Sequence, residues 1–529
     1  MPLANPDASF ESAARHLFRH LDEPARLRRN PLARRFFEDA GGRMTRARAK
    51  SAMALIMRIV EEGAEDVRAA DVAAKEDERA FRQHTIFRRT YVERAPIAQI
   101  ASDLGLSVRQ YYRERSAICM RIARFVEEFD ARNASATPYA RLDPLRFQME
   151  RAGQHVELGD AAGATRVYEQ VLAAAEPAAT RIEALCRLAE IAAEAGADGN
   201  AQSRLRDAQA LLETDGFEMT PLARAATRCH IALVRSRAAW HAGAAHAAAA
   251  GLAEAHDVAQ TLLANGGKRA RELVVEVLLE RTARKADFGD FDGARIQAER
   301  AGDVQSSVPD PSQRQRSDLV RWHAVLAMIS PEPRATPDES FAPLCEALEL
   351  ARACGSSKRA ILATGALCAQ AGYARNERGV LDAARRITAM AGQIQGRRFR
   401  GAVAVTAADV LLTTRYWKRG MRIVNGAAAD LAVGSFEWVK LQSLHAEYSR
   451  RNGHILESHV CAAASERYAR AFGSPRLQGA AFRMLALSSL ALGRARDARA
   501  YVDEAVAALE KHGSALSRSN TRRVARMIA

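Results

Sequence analysis

Several expected helices end in a glycine-containing turn, with a small residue five positions later inside the next helix: Gly159/Ala164, Gly196/Ala201, Gly243/Ala248, Gly289/Ala294, Gly453/Ser458 and Gly493/Ala498. A glycine allows the left-handed turn that ends one helix, and a small residue lets the next helix pack closely against it. Weaker breaks near Asn376 and Lys418 partly fill the gap between the fourth and fifth pairs. Elsewhere the spacing is 37 to 47 residues, which suits a unit of two moderately long helices. Such a unit cannot bury its apolar face alone, so units stack into a superhelix with a concave groove.

The last unit, LALSSLALGRARDARAYVDEAVAAL, is the clearest, with Leu485, Ala486, Gly493, Ala498, Val502 and Ala505 at its helix–helix contact positions. The first offers Ala152, Gly159, Ala164, Tyr168 and Val171 in the same register, and ARKADFGDFDGARIQAERA adds Ala298 and Ala301. The series resembles a divergent tetratricopeptide array over about residues 146–529, with eight or nine helix pairs. The bulky position of the second helix is Tyr168, Ala298 and Val502 in these units, a departure that leaves the register open. The resemblance implies a protein or peptide ligand in the repeat groove; the plainer alternative is scaffold. Pro309–Pro311 and Pro331–Pro337 are expected to mark long loops dividing the array into halves.

Composition agrees with helix. The chain has 529 residues, too many for one core. Ala, Arg, Leu and Glu dominate, aromatics are 6%, and no strand–turn–strand pattern is found. Seven dispersed cysteines without a CxxC pair read as reduced packing residues. Without an apolar leader or an 18-residue apolar run, no membrane association and a cytoplasmic location are expected. The net charge of +15 permits a polyanionic partner without requiring one. Within residues 79–124 ten arginines face three acids, although an Arg-rich chain decorates any solvated face this way.

In the N-terminal part, IAQIASDLGLSVRQYYRERSAI (Ile97 to Ile118) is the sharpest motif. Ile97, Ile100, Ala101 and Leu104 share one helical face, Gly105 supplies a turn, Leu106 plugs it, and Ser107 is a natural N-cap. Tyr111, Ile118, Ile122 and Phe125 or Phe129 line the buried side of a second helix. Arg43 to Val60 and Ala73 to Tyr91 read as bracing helices. The stretch resembles the helix-turn-helix of sigma-factor region four and of response-regulator domains through IA-x-x-L-G-L-S. RQYYRER and the upstream LFRHLDEPARLRRNPLARRFF resemble a module found beside tetratricopeptide arrays in bacterial regulators. Arg115 departs from the usual apolar residue at its position.

The resemblance implies double-stranded DNA as partner. Ser107, Val108, Arg109, Gln110, Tyr112 and Arg113 would enter the major groove, with Arg109 suited to guanine and Gln110 to adenine. Arg88, Arg89, Arg94, Arg121 and Arg124 would meet phosphates; for each arginine a solvated helix face is the plainer reading. A homodimer is expected on general grounds, since paired half-sites suit symmetric regulators.

No phosphate-binding loop, HExxH, GxSxG or dinucleotide fingerprint is found. His16/His20 has i,i+4 spacing without a third ligand and reads as a surface helix face, so neither metal, cofactor nor catalysis is expected. The expected fold class is all-α: a helix-turn-helix module (1–130, motif at 97–124), a linker (131–145) and a tetratricopeptide-like α-solenoid (146–529). The expected function is a DNA-binding transcriptional regulator whose array receives a protein or peptide signal. The alternative is an adaptor or scaffold that binds no DNA.

Overall fold

The computed structural model describes residues 6–21, 23–33, 56–57, 59–60, 64, 67, 77–92, 95–132, 144–175, 178–214, 219–265, 267–308, 311–330 and 332–529. Every regular element among them is helical, and none is long and apolar enough to cross a membrane. Two compact units, Met1–Gln148 and Met149–Ala529, are taken in turn.

The first unit contains α1 (Pro6–Arg19), α2 (Pro24–Leu27), α3 (Asp77–Phe87), a π-helical turn (Arg88–Val92), α4 (Ile97–Asp103) and α5 (Val108–Arg132). Its core gathers Leu17, Phe18, Leu27, Ile56, Ile59, Phe87, Ile118, Ile122 and Val126. A smaller cluster joins Ile86, Ile100, Ala101 and Tyr111, with Ile97, Leu104 and Leu106 half-buried around it. The apolar faces of α4 and α5 are therefore those the sequence marks. Arg94 and most of the expected 43–60 helix lie outside the described residues, as does the side chain of Phe129. The His16/His20 expectation is corrected: His20 is 8% exposed and its ring lies 4.7 Å from His16. His20 Nδ1 meets Glu23 at 2.9 Å and His16 Nδ1 meets Asn30 at 3.1 Å. The pair belongs to an internal polar cluster because Asn30 also donates to the Ala13 carbonyl at 2.7 Å and pins the α1–α2 corner.

Among the described residues the second unit is a solenoid of nine helix pairs and a closing helix, its first helix beginning just before the unit's boundary. The pairs are α6 (Pro144–Leu158) with α7 (Ala161–Ala174), α8 (Ala178–Ala195) with α9 (Asp198–Glu213), α10 (Pro221–His241) with α11 (Ala245–Asn265), α12 (Lys268–Phe288) with α13 (Phe291–Ser306), α14 (Gln313–Ile329) with α15 (Pro337–Ala353), α16 (Ser357–Tyr373) with α17 (Glu377–Ala391), α18 (Arg397–Leu411) with α19 (Trp417–Ala427), α20 (Phe436–Arg451) with α21 (Ile455–Phe472), and α22 (Pro475–Ala491) with α23 (Ala495–His512). The last helix, α24 (Ala515–Ile528), buries Thr521, Val524 and Ile528 against the final pair. Three prolines follow a capping side chain at a helix start, Pro221 after Thr220, Pro337 after Thr336 and Pro475 after Ser474, where the missing N–H costs nothing.

All six predicted glycines adopt φ between 74° and 86°, and all six small partners are at most 3% exposed. Tyr168, Ala298 and Val502 are all buried as well, so the three units share one register despite the change in size. In the gap, the turn at Asn376 is made without glycine: Arg375 takes φ 55°, and Asn376 caps α17 by accepting from Gly379 N at 2.9 Å. The proline stretches do not divide the array. They flank α14 and precede α15, which form one more pair within the same compact unit.

The array also packs on itself. Gln395 N donates to Gly159 O at 3.0 Å, and Gln395 Oε1 accepts from Ala162 N at 2.8 Å. Arg398 grips Asp198 through two bonds of 2.6 Å. Trp240 lies edge-on to Phe472 at 4.9 Å and near Phe436 at 5.4 Å, and Arg476 donates to Ala286 O at 2.8 Å. Pairs one to four thus meet pairs six to nine along a seam, an offset of about five pairs per superhelical turn.

Candidate functional site: a charged channel and a capped turn

The winding encloses a cavity of about 990 Å³. Its wall comes from α6, α8, α10, α12, α14, α16 and α18, the first helices of the pairs, or from the loops leading into them. The second helices contribute nothing to it. Charged residues line it at helical spacing: Glu183, Arg187, Glu190 and Glu194 on α8, and Glu276, Glu280, Arg284 and Asp287 on α12. Positions three and four apart share a helix face, so each helix turns one charged stripe inward.

The stripes interlock across helices. Arg237 reaches Glu190 at 2.9 Å, Glu276 at 2.7 Å and Glu280 at 3.0 Å, joining three helices through one guanidinium. Arg359 binds Glu157 at 2.5 Å and Asp318 at 2.8 Å, Ser356 donates to Glu157, and Lys358 meets Glu194 at 2.5 Å. Burial alone pushes the Glu157 carboxyl up, but Arg359 and Arg314 outweigh it and hold it at about 2. Glu280 is held at about 2 in the same way, burial being outweighed by Arg284 and Arg237. Burial, aided by Arg187, lowers His230, and burial takes His241 down to about 4. Asp287 goes the other way, to about 6, because burial and nearby Glu437 outweigh Arg284. Two wall atoms are buried without a hydrogen-bond partner, His230 Nε2 and Arg321 Nε.

The residues expected to meet DNA lie in the first unit, around the α4–α5 turn. Ser107 caps α5: its hydroxyl accepts from Gln110 N at 3.2 Å, while Gln110 Oε1 accepts from Ser107 N at 2.9 Å. That reciprocal box satisfies two of the helix's orphan N–H groups. It also occupies the Gln110 amide oxygen, which two-bond adenine recognition needs. Val108, Arg109, Tyr112 and Arg113 are exposed. Tyr111 is buried, its hydroxyl 2.8 Å from Thr90 Oγ1, whereas Tyr112 is 44% exposed. Arg115, the departure from the motif, lies 4.8 Å over the Tyr112 ring and so covers its own packing with an aromatic face.

The phosphate candidates divide. Arg124 is exposed and Arg88 half-buried. Arg89 binds Asp103 at 2.8 Å, tying the π-helical turn to α4, and Arg121 reaches Gln83 and the Val67 carbonyl at 3.4 Å. Those two are engaged inside the unit. Beside α5, Cys119 donates to Tyr91 at 3.3 Å, and burial pushes its thiol up to about 12, far from a nucleophile's range. Among the described residues no cluster of His, Cys, Asp and Glu is arranged to hold a metal ion.

Sequence reasoning found the turns and missed the channel. ELVVEVLLERTARKADF reads as an ordinary solvated charge pattern until the first helices converge.

No family model matches the chain, and no curated protein matches it. Solved structures overlap it loosely. A Rap protein complexed with competence and sporulation factor is 10% identical with a TM-score of 0.43, covering 66% of this chain and 98% of that one. Yeast Tom70 is 12% identical with a TM-score of 0.35, covering 79% and 93%. A signal-transduction ATPase with a tetratricopeptide repeat sensor from Pyrococcus horikoshii is 9% identical with a TM-score of 0.38, covering 99% and 75%. Likenesses this loose carry no argument about ligand or partner. The fold itself, an all-helical chain with a solenoid of tetratricopeptide-like helix pairs, rests on the turns and registers described above.

Proposed function

We propose that the array is a binding module that seats a protein segment or peptide in the charged channel. The observation that carries this is the wall itself: a large cavity lined by ionisable side chains, with His230 Nε2 and Arg321 Nε unpartnered. Buried polar groups left without partners are costly in a finished structure, so such atoms mark where a ligand supplies the missing bonds. The test is selection of random-sequence peptides by the full chain, followed by hydrogen exchange of the complex. Protection along α8, α10 and α12 supports the proposal; protection confined to the second helices sinks it.

A second reading adds DNA contact by α5. The observation favouring it is the exposed group Val108, Arg109, Tyr112 and Arg113 at the start of a capped helix, the end that meets base edges in helix-turn-helix proteins. A symmetric dimer goes with this reading. It predicts selection of a defined DNA motif, affinity falling steeply with salt, and loss of the motif on Arg109→Ala. If no motif is enriched at low salt, in buffer and in cell extract alike, the chain is an adaptor that binds through its array alone.

A further inference from the structure

The channel's charge is not evenly spread. On α8, α10 and α12 seven carboxylates face four guanidinium groups, while on α6, α14 and α16 four cationic side chains face only two carboxylates. The first region is therefore electronegative and the second electropositive, within one cavity. A simple anion answers only one of these surpluses and a simple cation only the other.

The electropositive part has an available donor. Arg314 and Arg359 are both committed to Glu157, at 3.7 and 2.5 Å, and Arg359 also takes Asp318. Arg321 is left with a loose 3.7 Å pairing to the same Asp318, its Nε is unpartnered, and its side chain is only 14% exposed. A buried guanidinium with unused donors is complementary to a carboxylate. On the other part of the wall, Glu190, Glu276 and Glu280 converge on Arg237; Glu190 also pairs with Arg187 and Glu280 with Arg284, so the second oxygen of Glu276 is the one left over for an ammonium. Within the acidic part, His230 on α10 lies near Glu183, Glu190 and Glu276, and its buried Nε2 is unpartnered. The cavity volume of about 990 Å³ lies at the upper end for small-ligand sites.

From this polarity we infer that the channel's ligand is a short linear peptide with both ends free. Its α-carboxylate sits on Arg321 beside Arg314 and Arg359, its ammonium end lies among Glu190, Glu276 and Glu280, and a backbone group meets His230 Nε2. This rests on the channel being the binding site, and goes beyond it by fixing the ligand's chemistry and direction.

The test presents the full chain with three random heptapeptide pools, one with free ends, one C-terminally amidated and one N-acetylated. Peptides selected from the free pool are then resynthesised in all three forms. Amidation and acetylation are each expected to weaken binding at least tenfold. Arg321→Gln is expected to reduce the free-acid affinity to that of the amide and to leave the amide unchanged. Should Arg321→Gln fail to fold, Arg314→Gln, at the 36% exposed rim position, is expected to give a smaller loss of the same kind. Equal binding of all three forms overturns the polarity inference while leaving the channel as a peptide site. An amidation effect that ignores both arginine variants overturns the assignment to this part of the wall. No binders from any pool removes the peptide reading altogether.

Discussion

Residues that look interchangeable in the repeat pattern carry different burdens. Gly493 faces open space, so a Cβ there meets nothing within 4 Å, whereas at Gly289 a Cβ would run into the His512 carbonyl. Both need a left-handed backbone. Gly493→Ala should therefore cost about 1 kcal/mol for the conformation alone. Gly289→Ala should cost about 3 kcal/mol or more, because the clash adds an overpacking penalty. Urea midpoints of the two variants check this; equal losses would mean the seam yields freely at pair four. Asp160, Asp290 and Asn376 show a second regularity. Each accepts at 2.9 Å from the N–H of a glycine three residues on, and a side chain at that glycine would strike the cap. The first glycine of each GD-x-x-G serves the turn and the second serves the cap. At Arg375 the turn glycine is missing and the cap persists, which explains why that repeat was only half legible in sequence.

At the scale of elements, a helix pair is held by a turn, a cap and a small residue at the crossing. The α4–α5 turn shows how much depends on the cap. Ser107 and Gln110 satisfy each other's backbone, and Leu106 N donates to Ala101 O at 2.8 Å across Gly105, which has φ 64°. Ser107→Ala should lower stability by about 1 kcal/mol and free the Gln110 amide, seen as faster hydrogen exchange at the first turn of α5 and nowhere else. Exchange spreading through α4 would show that the turn depends on the cap for its shape. In the array the first helices turn charge inward and the second helices turn small and apolar residues toward their partners. The alternation of roles between first and second helix is why charge stripes on α8 and α12 escaped notice: a solvated face and a channel wall have the same period.

Over the whole array, stability comes from more than a sum of neighbouring pairs. Arg398 is buried and holds Asp198 by two 2.6 Å bonds and the Ala193 carbonyl by one of 3.1 Å. Arg398→Ala should cost about 2 kcal/mol and loosen contacts between pairs two and seven. Small-angle scattering would then report an expanded array; an unchanged radius would show that the remaining seam contacts close it without Arg398. The same seam sets a pH dependence. Glu157 is depressed to about 2 from an ordinary 4.5. Its ion pairs therefore contribute fully above pH 4.5, and that contribution is lost as pH falls toward 2. Glu157→Gln should lower stability at neutral pH and flatten the acid limb between those values, read from unfolding midpoints across pH. A limb of unchanged slope would assign acid sensitivity to other carboxylates, Glu280 first among them.

What the sequence determined by itself is the local grammar. Helix follows from Ala, Leu, Arg and Glu, the turns follow from glycine at a position only glycine occupies cheaply, and the crossings follow from Ala164, Ala294 or Ala498 five residues on. These are interactions within about forty residues, so they leave a mark on a single sequence. The N-cap at Ser107 and the apolar faces of α4 and α5 are of the same kind. Only the tertiary structure decided that Gln395 meets Gly159, that Arg398 meets Asp198, and that charged side chains from six helices line one channel. Each helix pair adds a small rotation to the last, and where the superhelix closes depends on the accumulated sum. No local pattern encodes that sum, so the contacts it creates, and the site it encloses, become visible only when the whole array is wound.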